Sequence, residues 1–153
     1  MNILVKVLIF ACLTFSVASA EYSRQQRNAY AEECKKELNV TDEDFAILKS
    51  RDAPKNDAQS CLLECLYKKL GLVKDGKLDK DVHTTIAKAI YGEDKEKLSK
   101  MDEIYEKCSQ EAFKNTGEKC SIGKNLRSCV GTNFKQYENL LKPQHSKPKA
   151  PQS

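Results

Sequence analysis

The stretch Cys61-Leu62-Leu63-Glu64-Cys65 decides how this chain is read. It lies inside Asp57–Leu70, whose apolar spacing predicts an amphipathic helix. Residues four apart stand on one helix face, one above the other. Both thiols therefore point the same way, and each can reach a different neighbouring helix. The other cysteines of the expected mature chain are Cys34 before this helix and Cys108, Cys120 and Cys129 after it. The chain reads as helices pinned around this one.

Residues 1–20 read as a signal peptide rather than part of the fold. Lys6 lies in a short basic segment, Val7 to Val17 is almost unbrokenly apolar, and Ala18-Ser19-Ala20 has the small-x-small shape of a cleavage site. The apolar run is shorter than the roughly 20 residues of a membrane-spanning helix. The expectation is a secreted protein starting at Glu21, with no membrane insertion. Cys12 leaves with the leader, so seven cysteines become six. An even count in an oxidising compartment implies a disulfide framework. A metal site is the rival reading, but no Cys-x-x-Cys occurs, and His83 and His145 stand far from the cysteines in sequence.

The 133 residues that remain are enough for one domain. Loss of Lys6 moves the formal charge from +4 to +3, with acids and bases interleaved. That is a solvated surface, not a nucleic-acid footprint.

The first predicted helix runs from about Ser23 to Leu38, with Tyr30, Cys34 and Leu38 in line. Asn39-Val40-Thr41 fits a glycosylation sequon, and Thr41 also suits the N-cap of a short helix over Asp42–Ser50. The two readings are compatible. Pro54 breaks that helix, the central helix follows, and Gly71 ends it. Lys74-Asp75-Gly76-Lys77 is a turn signal. A fourth helix is predicted over Asp79–Tyr91, with Val82, Ile86 and Ile90 in line. A fifth covers Lys95–Lys114, and a sixth runs from near Cys120 to Tyr137. No strand pattern or internal repeat is found. Residues 143–153, with Pro143, Pro148 and Pro151 among polar residues, read as a disordered tail. The helical domain is therefore placed at 21–142.

The cysteines are separated by 26, 3, 42, 11 and 8 residues. This order resembles the six-cysteine signature of insect odorant-binding proteins, the pheromone-binding and general odorant-binding family. The gaps of three and eight are the tightly held part of that pattern. The resemblance spans nearly the whole mature chain and implies an all-α bundle of about six helices around an apolar cavity. Spacing alone leaves 15 pairings open. The family's interlocked pattern, carried onto these positions, implies Cys34–Cys65, Cys61–Cys120 and Cys108–Cys129. Each bridge is worth ~2–4 kcal/mol, largely by restricting the unfolded chain.

The resemblance further implies a secreted carrier of small hydrophobic ligands, odorants or pheromones, with an olfactory receptor or a second copy as further partners. Expected wall residues follow from helical phase alone: Phe45, Leu48, Leu62, Leu66, Tyr67, Ile86, Ile90, Met101, Tyr105, Phe113, Leu126, Val130, Phe134 and Tyr137. Tyr67, Tyr105 and Tyr137 bring hydroxyls, and each residue of the set also fits an ordinary core. Phe134 to Leu141 is apolar enough to fold back over the cavity. His83 reads as an exposed histidine without a role, or as a pH trigger.

No enzyme, cofactor or metal site is expected. A Cys-Cys-x-x-His-Asp phospholipase stretch is missing, and neither histidine suggests a triad. Asp42, Glu43 and Asp44, like Glu93 and Asp94, sit at predicted helix starts, where carboxylates suit the dipole. Asp75-Gly76 lacks the spaced oxygen ligands of a calcium loop. Two alternatives keep the fold: a non-olfactory extracellular carrier of lipids or amines, and a scaffold acting on a protein partner through its surface.

Overall fold

The computed structural model describes residues 19–142, and side-chain surroundings from residue 24. The expected leader lies outside these residues except for Ser19 and Ala20, and the expected tail lies outside them entirely. The helices are α1 (Ser19–Glu37), α2 (Asp42–Phe45), α3 (Asp57–Lys69), α4 (Lys80–Tyr91), α5 (Lys95–Glu111), α6 (Ser121–Gln136) and α7 (Glu138–Leu141). One turn of 3₁₀ helix, Ala46–Lys49, continues α2.

Local chemistry sets the boundaries. Thr41, Asn56, Asp79 and Asp94 each accept a backbone N–H at the start of α2, α3, α4 and α5. Each satisfies a donor that the first helical turn leaves without a partner. At the C-termini the backbone turns left-handed: Asn39 has φ +50°, Gly71 +74° and Gly92 +62°.

The central helix α3 buries Gln59, Ser60, Cys61, Leu62, Leu63 and Leu66. Its most extensive packing is against α6, followed by α1. Cys34–Cys65 ties α1 to α3, with Cα atoms 5.9 Å apart. Cys61–Cys120 ties α3 to the residue before α6, at 4.9 Å. Cys108–Cys129 ties α5 to α6, at 5.6 Å.

The structure departs from the sequence expectations at several points. A two-stranded antiparallel hairpin, β1 (Val73–Lys74) and β2 (Lys77–Leu78), follows α3 where only a turn was expected. Strands of two residues carry no readable period. The visible signal was Asp75-Gly76, both at positive φ, +51° and +71°, which suits a primed hairpin turn. The second helix changes to 3₁₀ geometry after Phe45, the fifth stops at Glu111, and the sixth breaks at Tyr137 into α6 and α7.

Leu38 is 43% exposed, because α1 ends at Glu37 and the chain turns away. Ile90 is 47% exposed. The inward face of α4 passes through Ala87 instead, which is 2% exposed. That rotates Ile90 out of the line drawn through Val82 and Ile86.

Two glycines of α6 explain how closely it packs. A Cβ on Gly123 would stand 2.0 Å from the Ser60 carbonyl oxygen and 2.8 Å from the Glu64 nitrogen. A Cβ on Gly131 would stand 2.4 Å from the Arg51 carbonyl oxygen. Both neighbours are backbone, so neither can rotate aside. Gly123→Ala is therefore expected to destabilise the oxidised protein by about 2 kcal/mol or more, the overpacking cost exceeding the ~1 kcal/mol helix-propensity gain of alanine. Urea unfolding checks this. Gly117→Ala, where nothing stands within 4 Å of a new Cβ, is expected to stay close to wild type.

Candidate functional site

The apolar interior is divided into two. One cluster joins Cys34, Val40, Ile47, Leu62 and Leu63, with Phe45 and Leu48 packed against it. The other joins Val73, Leu78, Ile104, Tyr105, Cys108, Ala112, Leu126, Phe134 and Leu141. Met101, Phe113, Val130 and Tyr137 pack against this second cluster. Tyr67, on the last turn of α3, touches both.

The expected wall residues are therefore spread over two centres. Leu62, Leu66, Tyr105, Leu126 and Phe134 are buried. Phe45, Leu48, Tyr67, Ile86, Met101, Phe113, Val130 and Tyr137 are half-buried. Leu66 and Ile86 belong to neither cluster. Ile90 faces solvent and leaves the set.

Among the described residues, two of the open hollows on the surface bear on the site. The larger, about 320 Å³, is walled by Leu38, Cys61, Glu64, Cys65, Lys68, Lys69 and Cys120. The smaller, about 220 Å³, is walled by Glu103, Ile104, Lys107, Asn133, Gln136 and Tyr137. Of the expected wall residues only Tyr137 lines either one.

The polar groups around the divided interior were only partly visible in the sequence. Burial pushes the Tyr67 phenol pKa up, and the Arg127 guanidinium beside it acts the other way. Arg127 also donates to the Ile47 carbonyl at 2.9 Å, to the Asp52 carbonyl at 3.3 Å and to the Ser50 carbonyl. It thus ties the chain between α2 and α3 onto α6. Arg51 lays its guanidinium over the buried Phe134 ring, 3.9 Å from the centroid. Tyr105 donates to the Leu78 carbonyl of β2 at 2.9 Å, and Tyr91 to the Leu141 carbonyl at 2.9 Å.

Sequence reasoning missed Arg127 and Arg51. The available signal was the four-residue spacing of Gly123, Arg127 and Gly131. Glycine inside a helix is unfavourable, so two of them on one face mark a close backbone approach.

His83 is not the exposed residue expected. Its side chain is 11% exposed and its ring stacks on Tyr105, with centroids 4.5 Å apart. The helix turns it inward against α5, and the local sequence carried no sign of that neighbour. Its Nε2 lies 3.3 Å from Asp102 Oδ1 but makes no hydrogen bond. Burial lowers its pKa from the ordinary 6.5, with Lys80 acting in the same direction and Asp102 and Glu106 opposing.

The groups walling the interior supply contact surface and hydroxyls. A family model confirms the class: the PBP/GOBP family matches residues 17–133. The chain belongs to this family of pheromone-binding and general odorant-binding proteins, which are secreted carriers of small ligands and not enzymes. It is 30% identical over 136 residues to general odorant-binding protein 19d of Drosophila melanogaster, covering 86% of this chain and 89% of that one. Its fold is similar to odorant-binding protein dmelOBP28a of Drosophila melanogaster, with TM-score 0.65, 25% identity, and 78% and 98% of the two chains covered. A pheromone-binding protein of the cockroach Leucophaea maderae, solved with the fluorescent reporter ANS, shares the fold at TM-score 0.57 and 23% identity, covering 71% and 95%. Among the described residues no helix is long and apolar enough to cross a membrane. The chain is thus a small-ligand carrier of this all-α, disulfide-bonded class.

The pH dependence of His83 follows from its sign. The unfolded histidine takes up its proton near pH ~6.5, and the buried one resists it to lower pH. The unfolded state then binds more protons, so this contribution is fully present above pH 6.5 and is lost as pH falls through the folded pKa. Urea unfolding at pH 7.5, 6.5 and 5.5 is expected to show falling stability, with a shallower fall in His83→Gln.

Proposed function

We propose that the ligand lies between the two apolar clusters, against Tyr67, and that it is an odorant or pheromone carried in the fluid around sensory neurons. The observation that carries this is the divided core. Tyr67 is deep enough for burial to raise its phenol pKa, and yet the residue as a whole is only half-buried. A residue that is deep and incompletely covered marks a gap between packed groups. Phe45, Leu48, Met101, Phe113, Val130 and Tyr137, half-buried beside one cluster or the other, support the same reading. Residues 1–20 act as the signal that sends the chain out of the cell.

Burial of an apolar ligand drives binding at about 25 cal/mol per Å². A few polar groups on the wall then set its orientation. The Tyr67 hydroxyl, held near Arg127, is the group placed to do this from the middle of the interior.

The test is displacement of a fluorescent apolar probe from the mature protein, across alcohols, esters and matched hydrocarbons. Saturable, competable binding near micromolar, ~8 kcal/mol, is expected. Tyr67→Phe is expected to weaken alcohols about 3- to 10-fold, the worth of one hydrogen bond, and to leave hydrocarbons unchanged. Ile90→Asp, on the outer face of α4, is expected to change neither. Absence of saturable uptake by a sample holding all three disulfides would refute the interior site.

A further inference from the structure

We propose that Asn39 carries an N-linked glycan, and that its first sugars lie over Leu38 and the apolar hollow beside it. The sequon is Asn39-Val40-Thr41. Asn39 is exposed at the corner between α1 and α2, with φ +50°. Its N–H donates to the Lys36 carbonyl at 3.3 Å, and the Val40 N–H to the Lys35 carbonyl at 3.0 Å. This is the Schellman arrangement, with Asn39 in the left-handed position.

That geometry alone accounts for an asparagine here, since asparagine tolerates left-handed backbone. It does not account for the neighbourhood. Leu38 is one of two large hydrophobic side chains left exposed among the described residues. It forms part of the wall of the 320 Å³ hollow, whose remaining wall is Cys61, Glu64, Cys65, Lys68, Lys69 and Cys120. A glycan rooted on the next residue is placed to cover this hollow. The sugar's C–H faces lie on Leu38 while its hydroxyls face water.

The chemistry balances with a co-substrate of the secretory pathway, a lipid-diphosphate-linked oligosaccharide. The amide nitrogen of Asn39 bonds to C1 of the terminal sugar. The C1–oxygen bond to the diphosphate breaks, the lipid diphosphate leaves with that electron pair, and the amide gives up one proton. In the folded protein Val40 is 7% exposed, and the Thr41 hydroxyl is held by Asp44. Transfer is therefore easiest before the corner closes and buries Val40.

The full chain is secreted from insect cells and measured by intact mass before and after peptide-N-glycosidase. The expected result is a heavier species that the enzyme lightens, with Asn39 converted to aspartate in the released peptide. Asn39→Asp keeps tolerance of the left-handed backbone, and Thr41→Asp keeps an N-cap. Both are expected to be secreted folded and without the glycan, whereas Thr41→Ser keeps it. Wild-type protein with three disulfides and only unmodified Asn39 would overturn the proposal. Removing the glycan from folded protein is expected to raise ANS fluorescence at least twofold, and less in Leu38→Ser. An unchanged signal would overturn the covering role.

Discussion

The crossing of α3 and α6 at Gly123 is the contact on which the rest of the molecule depends. With a Cβ excluded by the Ser60 carbonyl and the Glu64 backbone, the two helices meet main chain to main chain. The Gly123 N–H even points at the Glu64 carboxylate, 3.3 Å away. This closeness brings Cys61 and Cys120 within disulfide reach. One turn further along α6, Arg127 takes up three carbonyls of the chain leading into α3, and a turn beyond that Gly131 admits the Arg51 carbonyl. One face of α6 is thus committed to backbone contact. Its apolar residues, Leu126, Val130 and Phe134, turn toward α5 and the hairpin. The division of the core follows from that choice.

A divided core of this size is a poor source of stability by itself. Each cluster is small, and any space between them forfeits dispersion contacts on both sides. The three disulfides act on the other side of the equilibrium, restricting the unfolded chain whatever the quality of native packing. A fold stabilised in that way can keep an incompletely filled interior. Two bridges leave α3, toward α1 and toward the start of α6, and the third joins α6 to α5. The helices that face the interior are therefore linked through covalent bonds as well as through packing.

Helical phase and capping chemistry made most of the architecture legible. Thr41, Asp79 and Asp94 stand at helix starts, and Gly71 and Gly92 at helix ends, as their residue types suggest. Which cysteine meets which came from the family resemblance, because spacing does not choose among pairings. The failures have physical causes. Ile90 was misplaced because a single small residue, Ala87, sets the inward face of α4, and size matching against a neighbour is invisible along the chain. His83 was misread because its partner, Tyr105, comes from a different helix. The hairpin was missed because two-residue strands have no period. Within the candidate site, residue type identified the apolar groups but not their separation into two clusters, which depends on the glycine face of α6.

The C-terminal segment shows how the same economy reaches the edge of the interior. Leu141 is 0% exposed, and its carbonyl accepts from the Tyr91 hydroxyl at 2.9 Å. α7 is therefore packed into the second cluster, not a loose cover. Swinging it away exposes a leucine, at about 1.5–3 kcal/mol, and breaks a hydrogen bond worth about 1 kcal/mol. That total is small beside the energy of unfolding a disulfide-bonded domain, yet large enough to keep α7 docked most of the time. Opening of this one short helix leaves α1, α3, α5 and α6 joined by the bridges.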